Sequence, residues 1–344
     1  MDSNDELVKL LAQYMIKAFP EKTDQAVSRL ERISEGWESE VYSFGLESGS
    51  SENRQRAGLI LRIYPGNDAY EKSGREFQAL RQLVRAGYPV PHVYGLERDE
   101  SPFGRPFILM EKVEGQPLSA ALFQGPTAAQ PRLLSLFCGL MVRLHALDAG
   151  LFDLPAQDRA GKDLDSLAYH LISGFLPVAA QMPVAGFVPV FDWTLQHSKS
   201  IRSRRLSPLH WDFHPSNVIL KPDGTASVID WTQFQFSDYR FDLAWTLLLV
   251  GSYEGEAWRE RVLAEYVRLA GEPVEEAGFF DVAASLKRLF SMIVSIEYGA
   301  EKLGMRPGAE EIIRQQVGPM QYYYTIIQRE TGLRIPEVEK YLVT

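Results

Sequence analysis

The segment Leu209-His210-Trp211-Asp212-Phe213-His214-Pro215-Ser216-Asn217 holds the densest cluster of polar side chains in an apolar setting in this sequence. It leads into two short apolar runs, Asn217–Leu220 and Ala226–Ile229, which are separated by Lys221-Pro222-Asp223-Gly224. Proline at the second position and glycine at the fourth suit a type I turn. The segment therefore predicts a β-hairpin that directly follows a polar loop.

Three polar side chains are expected to converge at the end of this hairpin. It returns Asp230 close to Asn217, and Asp212 lies in the loop just before. A Mg²⁺ ion prefers carboxylate and amide oxygens together with phosphate oxygens and water. A separate carboxylate can orient a hydroxyl group and take its proton. The spacing of Asp212 and Asn217 also matches the catalytic loop of kinases, so the pattern predicts phosphoryl transfer, which depends on positioning and charge neutralisation.

On these residues the sequence resembles the aminoglycoside phosphotransferase and choline-kinase-like superfamily, the small-molecule branch of the protein-kinase-like fold. The family pattern His-Gly-Asp-x-His-x-x-Asn is matched by residues 210–217. Its Ile-Asp-Trp is matched by Ile229-Asp230-Trp231, and its Asp-Leu-Ala by Asp242-Leu243-Ala244. The resemblance covers residues 28–300 and is most specific over 207–245.

The resemblance implies a role for each matched residue. Asp212 is expected to be the catalytic base or the group that orients the acceptor hydroxyl, and Asn217 and Asp230 to ligate Mg²⁺. Asp242 is expected to brace the catalytic loop through hydrogen bonds, and His210 to be a structural member of that loop. The implied reaction transfers the γ-phosphoryl group of ATP or GTP, with Mg²⁺, to a hydroxyl group of a small molecule.

The resemblance also implies a nucleotide-binding half. Where the family places a lysine on its third strand to hold the phosphates, the segment Leu59–Tyr64 offers Arg62. Arginine is always charged and grips phosphate bidentately, but it is not equivalent to lysine. Glu76, on the helix that follows, is the expected ion-pair partner of Arg62.

Two further segments complete this predicted nucleotide site. The turn that covers the phosphates corresponds to residues 36–40, which contain a single glycine and in which the Ser39 hydroxyl is a candidate phosphate ligand. The connection between the lobes corresponds to residues 110–115. There the carbonyl of Glu111 and the N–H of Val113 are expected to bond the edge of the adenine base.

Hydrophobic periodicity agrees with this architecture. Helical spacing is clear at 5–19, at 133–147 and over much of the chain after residue 130, whereas the first third alternates short apolar runs with turn residues. Strands are predicted at 29–33, 41–44, 59–64, 93–96 and 107–110, with a helix ending near residue 86. The expected fold is α+β and bilobal, like a protein kinase: an antiparallel-sheet nucleotide-binding lobe over 1–113 and a larger helical catalytic and substrate-binding lobe over 114–344.

Composition limits the classes of partner. The 344 residues include 36 Lys+Arg and 45 Asp+Glu, a formal net charge of −9, which argues against nucleic acid as a partner. A single cysteine, Cys138, excludes an internal disulfide. The acidic start of the chain predicts no export, and the apolar run Leu243–Val250 is too short to span a membrane. A cytoplasmic protein without a membrane partner is expected.

Two other functions remain open at this stage. A nucleotide-binding pseudokinase or regulatory protein is favoured by Arg62 and by the glycine-poor turn. A metal-dependent hydrolase is the less favoured alternative, since His210, Asp212 and His214 stand on alternate residues and would share one side of a strand.

The acceptor is not specified by the sequence. Residues 271–344 hold 11 Asp+Glu against 8 Lys+Arg, a mild acidic excess that is compatible with a cationic substrate such as an aminoglycoside or an amino alcohol. Sugars, macrolides and amino-acid-like alcohols also remain open. The resemblance places the acceptor between the catalytic loop and the helices of 160–200 and 250–300.

Overall fold

The structure is a computed structural model that describes residues 3–34, 39–50, 53–98, 101–153, 164–303 and 308–342. Within them the chain divides into two compact units. The first contains the residues up to Gly115 together with Lys221–Thr232. The second contains Gln116–Leu220, Gln233–Leu303 and the residues from 308 onward.

The strands and helices follow the sequence pattern closely. The strands are β1 (Ala26–Ser34), β2 (Glu40–Ser48), β3 (Gln55–Ile63), β4 (Val93–Glu97), β5 (Phe107–Glu111), β6 (Gln116–Pro117), β7 (Ser207–Leu209), β8 (Val218–Leu220), β9 (Ala226–Val228) and β10 (Gln235–Ser237). The helices are α1 (Ser3–Ala18), α2 (Ala69–Arg85), α3 (Gln130–His145), α4 (Leu167–Ala180), α5 (Val188–Ser198), α6 (Tyr239–Glu254), α7 (Glu256–Ala270), α8 (Ala277–Tyr298), α9 (Ala309–Arg314), α10 (Val317–Thr331) and α11 (Pro336–Leu342).

The first unit is built on an antiparallel sheet with the strand order β1-β2-β3-β5-β4. Leu11 and Met15 of α1 pack into the same apolar cluster as Phe44, Leu61 and Phe107 from three of these strands. The alternation of side chains along a strand explains why one face of the sheet can carry this core. The predicted antiparallel sheet with an inserted helix is confirmed.

Helix α2 turns a different face inward from the one that its apolar residues suggest. Phe77, Leu80 and Val84 have helical spacing, but the buried positions include Ser73, Glu76, Leu80 and Leu83. Phe77 is only half-buried, whereas Glu76 is 1% exposed. Burying a carboxylate is costly unless it is paired and hydrogen-bonded, so the orientation of α2 implies partners for Glu76.

The turn predicted at residues 221–224 is present. The Lys221 N–H donates to the Thr225 carbonyl at 2.8 Å, and the Gly224 N–H donates to the Lys221 carbonyl at 3.0 Å. Gly224 has a φ of 83°, which glycine adopts without steric cost. The turn ends the second unit's β8 and begins the first unit's β9.

The second unit is mainly helical. Helix α6 is buried along nearly its whole length and packs against α7 and α8, and α8 also packs against α10. The helical pattern near the end of this unit is divided into two helices, α9 and α10. Pro319 lies in the first turn of α10, where its missing N–H is tolerated, whereas within a continuous helix it would clash with the preceding turn.

In the part of the chain that the structure describes, every helix is too short or too polar to cross a membrane.

Candidate active site

In the first unit, Arg62 is at the centre of a polar cluster. This side chain lies on β3 and is 8% exposed. Its Nε donates to the Ser39 hydroxyl at 2.9 Å, its Nη1 to Glu76 at 3.0 Å, and its Nη2 to Asp230 at 2.9 Å. The ion pair predicted between Arg62 and Glu76 is therefore present, and the arrangement adds Ser39 and Asp230 to it.

Glu76 has a second donor, because the Tyr64 hydroxyl bonds its other carboxylate oxygen. Burial raises the pKa of Glu76, and Arg62 opposes this by stabilising the carboxylate. Burial would lower the pKa of Arg62, but Asp230 and Glu76 outweigh this effect and raise it above its usual range. The guanidinium is therefore a permanent positive charge within this cluster.

Asp230 is held in an unusual backbone conformation. Its φ is 66°, in the left-handed region that few residues other than glycine adopt. Both of its hydrogen bonds, from Arg62 and from the Thr232 hydroxyl at 3.2 Å, go to the same oxygen, Oδ1. The side chain is 37% exposed. A carboxylate that is oriented in this way through one oxygen suits a cation at the other oxygen, Oδ2.

The remaining residues predicted to bind the nucleotide also belong to the first unit. The Gly36-Trp37-Glu38 part of the phosphate turn lies outside the described residues. Glu40 accepts a hydrogen bond from Arg105 at 2.7 Å, which accounts for one acidic side chain of that turn. Glu111 is the last residue of β5 and pairs with Leu59 of β3. Leu59 lies three positions before Arg62 on β3, and Val113 lies two positions after Glu111 in the chain.

In the second unit, the Asp212 carboxylate is held by its neighbours. The Trp245 indole N–H donates to Oδ1 at 3.1 Å, the Asn217 amide donates to Oδ2 at 3.3 Å, and the His214 Nε2 lies 3.5 Å from Oδ2. Burial alone would raise the pKa of Asp212, but the His214 ring and the Trp245 indole lower it below its usual range. Asp212 is therefore a carboxylate at neutral pH, able to accept a hydrogen bond from a hydroxyl group.

Asn217 is oriented by the same loop. Its Nδ2 donates both to the Asp212 carbonyl at 3.0 Å and to the Asp212 carboxylate, so its Oδ1 is the atom left to act as a ligand. Amide and carboxylate oxygens are the donors that Mg²⁺ prefers. The chemistry of the side-chain atoms at Asn217 and at Asp230 thus fits the metal that the sequence predicts.

Asp242, in the first turn of α6, braces the loop that carries Asp212. One of its carboxylate oxygens accepts from the His210 backbone N–H at 3.0 Å and the other from the Trp211 N–H at 2.7 Å. It also lies 3.1 Å from Nε2 of His145, whose Nδ1 lies 2.9 Å from the Tyr266 hydroxyl. Burial raises the pKa of Asp242, but the His145 and His210 groups outweigh it and lower that pKa.

The metal-hydrolase alternative receives no support from this geometry. His210 is fully buried, and its Nδ1 accepts a hydrogen bond from the Asp212 backbone N–H at 3.2 Å. His214 uses its own Nδ1 to accept from the Ser216 N–H. Among the residues that the structure describes, no group of three or more His, Cys, Asp or Glu side chains is arranged to hold a metal ion.

Three residues of these clusters were not expected from the sequence. Tyr64 directly follows β3, and its place at the end of an apolar run predicts only a strand residue. Trp245 lies one helical turn after Asp242, a spacing that places both on one side of α6. Trp211 stands where the family pattern has glycine, and its φ of 64° shows why glycine would suit this position. The replacement of glycine by Trp211 in the family pattern is therefore the sequence signal that marks this residue.

Comparison with known proteins identifies the family. Residues 29–277 match the phosphotransferase enzyme family. A curated relative, acyl-CoA dehydrogenase family member 10 from Mus musculus, is 24% identical over 201 residues, which cover 55% of this chain and 18% of that protein. The chain thus spans about a fifth of the relative that it matches.

Solved structures share the fold. A thermostable mutant of aminoglycoside phosphotransferase APH(4)-Ia superposes with a TM-score of 0.61 at 18% identity, covering 93% of this chain and 99% of that chain. Ethanolamine kinase from Plasmodium vivax superposes with a TM-score of 0.63 at 12% identity, covering 99% of this chain and 91% of that chain. These similarities confirm the predicted α+β kinase-like fold.

Proposed function

Because this chain belongs to the phosphotransferase enzyme family, we propose that it transfers the γ-phosphoryl group of ATP or GTP to a hydroxyl group of a small molecule, with Mg²⁺. The proposal is supported by similar folds that have been solved with ADP and hygromycin B, with AMP-PNP and hygromycin B, and with GDP and kanamycin. Those ligands include adenine and guanine nucleotides, so both donors remain in the proposal.

The first unit binds the nucleotide. Arg62 supplies a fixed positive charge for the phosphates, with Glu76 holding the guanidinium in place and the Ser39 hydroxyl beside it. The carbonyl of Glu111 and the N–H of Val113 bond the edge of the base. An arginine fork offers two parallel hydrogen bonds to phosphate oxygens, which a lysine cannot.

Asn217 in the second unit and Asp230 in the first would each offer Mg²⁺ a side-chain oxygen that their hydrogen bonds leave available. When bound, the ion neutralises the charge on the transferring phosphates. The Arg62 guanidinium also neutralises phosphate charge, since it is positively charged. The same guanidinium orients Asp230 through a hydrogen bond. The chain therefore holds the metal ligand and the phosphate ligand in one hydrogen-bonded group.

Asp212 acts on the acceptor. Its carboxylate accepts a hydrogen bond from the acceptor hydroxyl and aligns that oxygen with the γ-phosphorus. As the new oxygen–phosphorus bond forms, the bond from the γ-phosphorus to the bridging oxygen breaks, the hydroxyl proton passes to Asp212, and the nucleoside diphosphate leaves. The single observation that carries the proposal is the Asp212 carboxylate held between Trp245 and Asn217.

Nucleotide binding is the first experiment. Thermal unfolding is followed with ATP and with GTP, each with and without Mg²⁺, on the wild type and on Asp230→Asn. A ligand that binds only the folded state raises the melting temperature by mass action. We expect a Mg²⁺-dependent rise that Asp230→Asn loses and that Asp192→Asn, on the exposed side of α5, retains. A wild type that shows no rise at millimolar nucleotide would contradict the proposal.

One observation favours a second candidate, a nucleotide-binding regulatory protein. Ser39, Glu76 and Asp230 each accept a hydrogen bond from a different nitrogen of the Arg62 guanidinium, which leaves a phosphate only two of its five N–H groups. Acceptor-independent release of phosphate from ATP distinguishes the two candidates. A slow release that Asp212→Asn abolishes supports the enzyme, and tight binding without any release supports the regulator.

A further inference from the structure

Lys287 of α8 lies over two tryptophans beside the Asp212 loop. Its Nζ is 4.0 Å from the centre of the Trp211 ring and 4.4 Å from the centre of the Trp245 ring. Trp211 precedes Asp212 in the chain, and Trp245 donates to the Asp212 carboxylate. A positive charge is therefore fixed next to the group that we propose acts on the acceptor hydroxyl.

Trp211 is retained at this position at a steric cost. A φ of 64° costs a non-glycine residue roughly 1–2 kcal/mol, and glycine would remove that cost. The indole is 2% exposed, and its Nε1 has no hydrogen-bond partner among the described residues. A buried indole N–H normally finds an acceptor. The indole N–H is therefore a buried donor for which the described residues supply no acceptor.

Arg288 follows Lys287 on α8 and also carries a positive charge. Its Nη2 donates to Gln316 at 3.2 Å, and its Nε is buried without a partner. Among the described residues, no carboxylate forms an ion pair with Arg288. Lys287 is therefore the cation whose distances place it beside the Asp212 loop.

Helix α4 approaches from another side. The Phe175 ring makes an edge contact with Trp211, with 6.4 Å between the ring centres. Helices α4 and α8 lie within the two segments that the sequence placed around the acceptor. The surroundings of Asp212 thus combine aromatic rings with the Lys287 ammonium group and an indole donor.

We propose that the acceptor is an anionic hydroxy compound, whose carboxylate or phosphate group is bound by Lys287 and the Trp211 indole N–H while its hydroxyl faces Asp212. This inference rests on the proposed function and specifies its substrate class. A cation and an unpaired N–H complement an anion, and an ammonium group placed here would meet the like charge of Lys287. The local charge is thus opposite to the mild acidic excess of residues 271–344.

The test uses the full chain loaded with Mg²⁺ and AMP-PNP. Short ω-hydroxycarboxylates are compared with their amides and with the amino alcohols of the same length, and glycerol phosphate and kanamycin are included. We expect the carboxylates or glycerol phosphate to raise the melting temperature more than the neutral and cationic compounds do. With ATP in place of AMP-PNP, the preferred compounds should also be phosphorylated fastest. The carboxylate and phosphate arms identify which anion is bound.

Variants at Lys287 separate binding from folding. We expect Lys287→Gln to raise KM for the preferred anion by about tenfold or more, with kcat and the KM for nucleotide nearly unchanged. Lys287→Arg should restore most of the affinity, because it keeps the charge. Lys287→Glu should shift the preference towards the amino alcohol. Lys302→Gln removes the same charge from an exposed site and serves as the matched control.

The outcomes distinguish this inference from the proposed function. If Mg²⁺ and nucleotide stabilise the protein but no anion stabilises the loaded complex beyond its neutral match, the inference is wrong and the phosphotransferase proposal stands. A preference for amino alcohols or kanamycin in the wild type would also overturn it. If nucleotide itself does not bind, the proposed function fails first. If Lys287→Gln weakens the binding of anionic, neutral and cationic acceptors equally, the Lys287 side chain has a structural role only.

Discussion

Arg62 donates from Nη2 to Oδ1 of Asp230 across 2.9 Å, and the two residues are 168 positions apart in the sequence. One belongs to the central strand of the sheet, and the other follows the turn at 221–224. The same guanidinium bonds Glu76 and Ser39. Removing one partner of a buried ion pair leaves the other charge uncompensated and is strongly destabilising. The residue predicted to hold phosphate is therefore also a structural link within the first unit.

Replacing Arg62 by lysine tests that double role. An ammonium group cannot bond Ser39, Glu76 and Asp230 in the fixed directions of a guanidinium, so we expect Arg62→Lys to lower the free energy of unfolding by about 2 kcal/mol. Nucleotide affinity should change by less than about tenfold, because the positive charge remains. Urea unfolding and calorimetric titration with Mg²⁺ and ATP measure the two effects.

Arg62→Met is the companion variant. It leaves Glu76 and Asp230 without their shared cation, and a loss of about 3–5 kcal/mol is expected. Nucleotide binding should fall below detection. Wild-type affinity for nucleotide in a folded Arg62→Met protein would remove the phosphate-binding role that we assign to Arg62.

Asp212→Asn should separate binding from turnover. The amide oxygen can still accept from the Trp245 indole, so the loop is expected to keep its conformation. The amide cannot take the proton of the hydroxyl, and we expect turnover to fall by roughly 10²–10⁴-fold. The Mg²⁺-dependent rise in melting temperature should persist. Unchanged turnover would show that Asp212 does not act on the acceptor.

Trp245→Phe removes one hydrogen bond and keeps an aromatic ring at the same place. The indole N–H positions the Asp212 carboxylate, and a hydrogen bond to a charged group contributes about 1.5–3 kcal/mol. We expect kcat to fall by about tenfold or more, and KM for nucleotide to stay unchanged. Trp258→Phe on α7 is the matched control and should leave kcat unaltered.

Asp242→Asn should destabilise the loop that carries Asp212 in a pH-dependent way. The Asp242 carboxylate accepts two backbone N–H groups and contacts His145 in a fully buried position. An asparagine would turn an NH₂ group towards one of those donors, and a loss of about 3 kcal/mol is expected near neutral pH. Unfolding by urea measures this difference.

The pH dependence of that difference follows from the lowered pKa of Asp242. A carboxyl whose pKa is lower in the folded state contributes stability above its unfolded value of about 4, and this stability is lost as the pH falls through the folded-state value. Asparagine does not titrate. The difference in free energy of unfolding between the wild type and Asp242→Asn should therefore become smaller as the pH is lowered below about 4. If this difference in free energy of unfolding does not change with pH, the charge of Asp242 contributes nothing to stability.

Most elements of the fold could be predicted because their signals are local. The alternation of apolar residues along the strands, the helical spacing at 5–19 and 133–147, and the turn at 221–224 depend on neighbours only a few positions away. The motif residues Asp212 and Asn217 were recognised for the same reason. The signal of Pro319 is equally local, since a proline within a continuous helix would clash with the preceding turn, and α10 begins just before it.

Tertiary packing alone determined the other half of the site. Glu76 faces inward against the apolar pattern of α2 because the Arg62 guanidinium and the Tyr64 hydroxyl lie there to receive it. Lys287 is one of many lysines in the sequence until α8 places it over Trp211. A buried or oriented charge is stable only where distant segments supply its partners. Local sequence therefore specified which groups could carry the chemistry, and the packing of remote segments decided their neighbours and their charge environment.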